Sequence, residues 1–257
     1  MTMPRPPSRT QQVAEQLRAR IRSGELQPEA PLPSTKRLAE EYGIGQESVR
    51  LVVKQLKASG DVVSQWGKGV FVRTYDPFAW DVTTFERGQR PDDVTTTTDA
   101  WAAGIRAQGH EPAEQLLYVS EAPGEAPPRD TARRLQLEDG DLAVCRRRLR
   151  TVDGNPYQLS ESWFPARIAL GSPLMNTEAT ARPGGILASI NHPQVRGRDR
   201  YEARLPTQFE RDTLKLEVGT TVLGFTRTGF GADGVPVRCM YTICPGDKTV
   251  IEMDVEF

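Results

Sequence analysis

Cysteine and histidine are scarce in this 257-residue chain, which has only Cys145, Cys239, Cys244, His110 and His192. Three cysteines, an odd number at no metal-type spacing, exclude a disulfide framework and fit reduced thiols in a cytoplasmic protein. The two histidines stand alone, so neither a metal nor a cofactor is expected. Long apolar runs are missing too: no stretch approaches the roughly 18 residues of a membrane span. The first residues, Met1 to Arg9, carry no apolar leader core, and secretion is not expected. Catalytic signatures are equally thin. There is no serine nucleophile elbow and no acid-base pair with a rationale, so an enzyme is not expected. The stretch Gly229-Phe-Gly-Ala-Asp-Gly234 fits a dinucleotide-loop pattern, but it lies between two strand-like runs and opens no helix, which makes it a hairpin turn.

What is present describes a globular chain with enough apolar residues for two cores: 37% hydrophobic, 26% charged, four Trp. The net charge of −1 hides an asymmetry. Residues 1–74 hold 12 Lys+Arg against 7 Asp+Glu, whereas the remainder holds 21 against 27. A basic front and an acidic remainder fit a small domain that neutralises phosphates, although solvated surface can vary this much by chance.

Along that basic front, Val13, Leu17 and Ile21 recur at four-residue steps from Thr10 to Gly24, an amphipathic helix closed by glycine. Ser34 can cap a second helix, Thr35 to Tyr42. Gly43-Ile44-Gly45 breaks the chain. A third helix, Gln46 to Ser59, buries Val49, Val52, Val53 and Leu56 and turns Gln46, Arg50, Lys54 and Lys57 outward. Two strands, Val62 to Trp66 and Val70 to Val72, then flank Gly67-Lys68-Gly69, a hairpin with a cation at its tip. Two short helices joined by a glycine-containing turn, followed by such a hairpin, predict a winged helix-turn-helix that binds double-stranded DNA.

These residues resemble the DNA-binding domain of the GntR family. The match is carried by Gln16 to Pro28, Leu32-Pro-Ser-Thr-Lys-Arg-Leu-Ala39, Val49-Arg50, Leu56-Lys-Ala-Ser-Gly60 and Gly67-Lys-Gly-Val-Phe-Val72. The resemblance implies DNA contacts at Lys36, Gln46, Glu47, Ser48, Arg50, Gly67 and Lys68. Gly45-Gln46 stands where the family has a Ser/Thr-Arg pair, and Glu47 where Thr or Ser is common. Gln can read adenine and Glu can accept from cytosine, which implies a different operator; equally, Glu47 fits a carboxylate favoured by the helix dipole.

We expect a DNA-binding domain over 8–74, a linker over 75–96 and a second domain over 97–257. In the second domain, a helix at Ala100 to Arg106, a strand at Gln115 to Val119 and a short helix from Thr131 precede a hairpin, Leu142 to Val152 and Pro156 to Phe164. The stretch from Leu214 to Phe257 repeats that helix-and-hairpin plan. The expected class is α+β, an antiparallel sheet with helices on one face and an internal duplication.

This part resembles the UTRA effector domain of HutC-type regulators, which shares the chorismate lyase fold. The signatures are Ala132 to Asp141, Arg148 to Pro156, Glu161, Leu216-Glu-Val-Gly219 and Asp233-Gly-Val-Pro-Val237 with Gly246-Asp247. The resemblance implies a homodimer, and a small-molecule effector at Arg148, Arg150, Glu161, Arg238 and Cys244. By period two, Arg146, Arg148 and Arg150 share one strand face, a cradle for an anion or else an exposed edge strand. Arg238 and Cys244 stand where Glu and Tyr are common, which favours a more acidic ligand or none. The expected protein is a transcriptional repressor released by an effector. A ligand-independent repressor of mobile-element transfer genes and, more remotely, a chorismate-lyase-like enzyme are the alternatives.

Overall fold

The computed structural model describes residues 8–65, 67–73, 77–81, 100–177, 185–216 and 219–254. The chain divides into two compact units, one over Met1–Asp76 and Glu217–Thr220 and a larger one over Pro77–Leu216 and Thr221–Phe257.

In the N-terminal unit, α1 (Arg9–Arg22) opens on a capping box in which Ser8 and Gln11 satisfy each other's backbone N–H. Helix α2 (Thr35–Tyr42) is capped by Ser34 and ends at Gly43, whose φ of 60° stops the helix in the left-handed region. Helix α3 (Gln46–Ala58) follows, then β1 (Val62–Gln65) and β2 (Gly69–Val72), antiparallel, with Val62 opposite Val72. Leu17, Leu38, Val52 and Leu56 are fully buried in one core with Val13, Val49, Val62 and Val72. Each such side chain contributes about 1.5–3 kcal/mol, so the outward residues of α3 ride on a firmly held helix. Trp66, expected in the first wing strand, lies outside the described residues.

The second unit is built on a six-stranded antiparallel sheet. Its strands are β4 (Pro112–Val119), β5 (Ala143–Val152), β6 (Asn155–Pro165), β7 (Arg196–Arg204), β8 (Val222–Phe230) and β9 (Pro236–Pro245), in the order β4-β5-β6-β9-β8-β7. Two helices, α5 (Arg129–Leu135) and α8 (Gln208–Leu214), take matching places, and α8 ends at Leu214, where the sequence reading begins its second unit. Each closes through a left-handed residue, Gln136 at φ 53° and Lys215 at φ 51°, and each precedes a hairpin of the sheet.

Two expectations need correction. Phe78–Asp81, inside the expected linker, forms β3, which pairs in parallel with β10 (Thr249–Glu252). Positions 82–96 lie outside the described residues. Helices also cover both faces of the sheet instead of one. Leu135 of α5 packs with Cys145, Trp163 and Cys239 on one side. On the other, Trp101 and Ile105 of α4 (Ala100–Ala107) pack with Val152. The same face meets a second apolar group, Ile168 and Ala169 of α6 (Ala166–Ala169), Leu174, and Leu187 of α7 (Gly185–Ser189), against Val144 and Phe164. A polar stretch of sheet lies between these two apolar ends. Gly229 to Gly234 runs from the end of β8 into the β8–β9 hairpin turn, with Gly231 N–H donating to Val235 O at 2.9 Å.

Candidate nucleic-acid interface and ligand site

In the N-terminal unit, Lys36 at the start of α2, Gln46, Glu47 and Arg50 on α3, and Gly67 and Lys68 at the wing tip are exposed, and Ser48 is half-buried. Gly45 offers α3 no side-chain cap, so the first backbone N–H groups of α3 and the positive end of its dipole are open to an anion. Glu47 is ion-paired with Arg50 one turn on. Gly67 and Gly69 adopt φ of 71° and 122°, and a Cβ on either would meet nothing within 4 Å. Glycine is therefore required by the turn's backbone conformation, with space left over for a duplex.

Two other arginines of this unit are occupied internally. Arg18 Nε donates to Asp61 at 2.8 Å, and Arg20 pairs with Glu25 and Glu41, both at 2.7 Å. Arg50, Lys54, Lys57 and Lys68 instead surround an open groove of about 620 Å³ between α3, the wing and the Pro31–Thr35 segment.

In the second unit, the register sorts the predicted effector residues. Arg148 lies opposite Ser160 and Arg150 opposite Gln158, whereas Glu161 lies opposite Arg147. Alternation puts Arg146, Arg148, Arg150, Ser160 and Ser162 on one face with Met240, Thr242 and Cys244. Arg238 joins them, its Nη2 donating to Ser162 Oγ at 2.7 Å. Arg227, opposite Met240, belongs to the same face. Glu161 does not: its Oε1 accepts from Arg147 Nε at 2.5 Å on the face under α5 and α8, where the Arg147 guanidinium also lies 5.0 Å from the Phe209 ring centroid. The structure therefore unites four of the five predicted ligand residues and removes Glu161. Two residues on one strand share a face only when an even number apart, and the even-to-odd step from Ser160 to Glu161 crosses the sheet.

Two neighbours were not legible as site residues. Glu114 of β4, directly opposite Arg150, accepts from Arg150 Nε at 2.8 Å and from Arg148 Nη1 at 3.3 Å. Burial pushes its carboxyl pKa up, but the charges and hydrogen bonds of the two arginines outweigh burial and hold it below the ordinary range. Asp199 of β7 grips Arg227 with both oxygens, at 2.7 and 2.5 Å. Five arginines thus meet two carboxylates among the described strand residues of this face. Burial, reinforced by the charges of Arg148, Arg227 and Arg150, brings Arg238 down to about 9. A nearby anion would reverse that trend. Cys244 is 2% exposed, accepts from Gln158 Nε2 at 3.8 Å, and is pushed up to about 12, mainly by burial, so it acts as an apolar floor and not as a thiolate.

Among the described residues no cluster of three or more His, Cys, Asp or Glu is placed to hold a metal, and no helix is long and apolar enough to cross a membrane. His110 is accounted for by Asp153, at 2.7 Å.

Comparison with known proteins agrees with both units. Residues 9–72 match the bacterial regulatory proteins of the gntR family, and residues 107–249 match the UTRA domain. The transcriptional repressor NagR of Bacillus subtilis is 43% identical over 61 residues, about a quarter of each chain. The transcriptional regulator Rv0792c of Mycobacterium tuberculosis is 29% identical over 88% of this chain and 78% of its own. The crystal structure of PhnF from Mycobacterium smegmatis shares the fold with a TM-score of 0.58, at 18% identity, over 95% of this chain and 99% of that one. The chain belongs to the GntR family, in the branch that joins a DNA-binding helix-turn-helix to a UTRA domain, and it is a transcriptional regulator, not an enzyme.

Proposed function

We propose that this regulator is a repressor that grips its operator as a homodimer and lets go when a small anion binds over Arg148, Arg150 and Arg238. Lys36, Gln46, Ser48, Arg50, Gly67 and Lys68 would meet the DNA, with Gln46 reading base edges and Arg50 and Lys68 anchoring phosphates. Glu47, engaged with Arg50, either orients that guanidinium or leaves it to accept from a cytosine. Two copies present two recognition helices to half-sites about one DNA turn, roughly 34–36 Å, apart, and an effector that favours a different presentation weakens binding. The cytoplasm is where such a protein meets its operator.

The observation that carries the effector reading is the excess of arginine over carboxylate on one sheet face. Like charges gathered this closely are favourable only with counter-anions. Glu114 partly supplies one, so an incoming ligand takes its place on Arg148 and Arg150. Repression is supported by the similarity of the N-terminal unit to that of a named repressor. The test is a gel-shift titration of the full chain on the DNA upstream of its own coding sequence, repeated with phosphate, citrate and sugar phosphates. Release by one of these at constant ionic strength supports the proposal. Equal affinity with every anion, together with no change in thermal stability, would leave the ligand-independent repressor as the reading.

A further inference from the structure

The arginines of the ligand face reach strand β6 from opposite sides and at different heights. Arg150 reaches it from β5, its Nη1 donating to Gln158 Oε1 at 3.2 Å, and Arg238 from β9, its Nη2 donating to Ser162 Oγ at 2.7 Å. Gln158 and Ser162 are four residues apart, about 13 Å along the strand, and Arg148 lies opposite Ser160, halfway between them. Hydrogen bonds to an anion span only about 2.7–3.2 Å, so one carboxylate or phosphate group cannot accept from Arg150 and Arg238 where they stand.

The two ends also differ in charge. Glu114 accepts from Arg148 and Arg150, and Asp199 grips Arg227 with both oxygens. Arg238 has no carboxylate partner among the described residues: it meets the Ser162 hydroxyl, the Met240 sulfur at 2.9 Å and, more loosely, the Phe164 ring at 5.8 Å. Its pKa of about 9 still leaves it charged at neutral pH. The space on its β8 side is taken, because Gly229 lies opposite Arg238 and the Gln194 side chain crosses that glycine. A Cβ at Gly229 would sit 2.0 Å from Gln194 Oε1. Arg238 is thus turned toward β6 and the other arginines. Between the two ends the floor is Ser160 and Thr242, buried and hydrogen-bonded to each other at 3.3 Å. Hydroxyls that satisfy each other ask for no polar group above them, so a methylene spine can cross this floor.

We infer that the effector is a dicarboxylate, with one carboxylate on Arg148 and Arg150, the other on Arg238 and Ser162, and a spine that holds them about 7–13 Å apart. The inference rests on the effector reading of this sheet face and narrows it to a ligand with two separate anionic ends. A compact single anion would fill one end and leave the other without a counter-charge.

The test is calorimetric titration of the full chain at constant ionic strength with suberate, its monomethyl ester, succinate and inorganic phosphate. The ester keeps the spine and removes one charge; succinate keeps both charges on a spine too short to join the ends. Wild type should bind suberate about tenfold more tightly than either, the worth of one charge-assisted contact. In R238Q that advantage should disappear, and in R238K it should return in part. Equal affinity of wild type for suberate and its ester overturns the two-ended site, whether or not R238Q folds. An advantage of suberate that survives in folded R238Q overturns it as well. Binding of phosphate but not of suberate overturns the dicarboxylate alone, whereas a wild type that binds none of the four compounds removes the effector reading beneath it.

Discussion

Glu114 lies directly opposite Arg150 on the β4–β5 ladder and accepts from its Nε at 2.8 Å, while its other oxygen accepts from Arg148 at 3.3 Å. On the proposed effector reading, this carboxylate of the protein holds the arginines that the anion would take.

Removing that carboxylate takes one charged partner from each of two arginines. We expect Glu114→Gln to lower the stability of the chain by about 1 kcal/mol, a value discounted for partial exposure. Added citrate should recover more stability in this variant than in the wild type, because a ligand bound only to the folded state stabilises it. Thermal melts with a citrate titration check this. Equal citrate responses in both proteins would mean that Glu114 does not compete for the site.

Acid should act through the same group. The Glu114 and Glu210 carboxyls are both held below their ordinary range; burial opposes this, but Arg148 and Arg150 outweigh it at Glu114, and Arg204 outweighs it at Glu210. A group with a depressed folded pKa stabilises above its unfolded value, about 4.3, and loses that contribution as pH falls through the folded value. Denaturant midpoints should thus be level between pH 6 and 5 and decline below about 4.3, with the decline shallower in Glu114→Gln. A decline beginning near pH 6 would contradict this account.

Much of the N-terminal unit was legible because its signals are local. Ser34 and Gly43 bracket α2 as capping chemistry requires, and the buried spacing of α3 is helical. In the second unit the hairpins and the repeated helix endings were equally local. The strand β7 was not: Arg196 to Arg204 has no apolar face, since a largely exposed edge strand needs none. The short strand β3 depends on a parallel partner some 170 residues away, which no local pattern announces. The role of Glu114 is hidden from the sequence for a related reason. Its partnership with Arg150 depends on a register that passes a bulge between Leu116 and Tyr118, and sequence spacing does not fix it.

The core beneath the recognition helix offers a separate check. Leu56 is fully buried between α1, α3 and the wing, and Leu56→Ala should cost about 2–5 kcal/mol. DNA affinity should fall in proportion to the unfolded fraction and recover on cooling. A stable Leu56→Ala protein would contradict the packing described for this unit.

The wing tip should be intolerant of side chains for conformational reasons. At φ of 71°, Gly67→Ala adds about 1 kcal/mol of backbone strain without any clash. Circular dichroism should show an intact fold, and gel shifts a weaker grip on every duplex. Undiminished binding would show that the wing does not touch DNA.

The most direct measurement compares the wild type with the R50A/K68A variant on the upstream duplex across a salt series. Both cations are exposed, and they line the groove between α3 and the wing. Binding should weaken at every salt concentration, with a slope lower by about 1.8, while the melting temperature stays unchanged. Identical curves for the two proteins would contradict the assignment of this face to DNA.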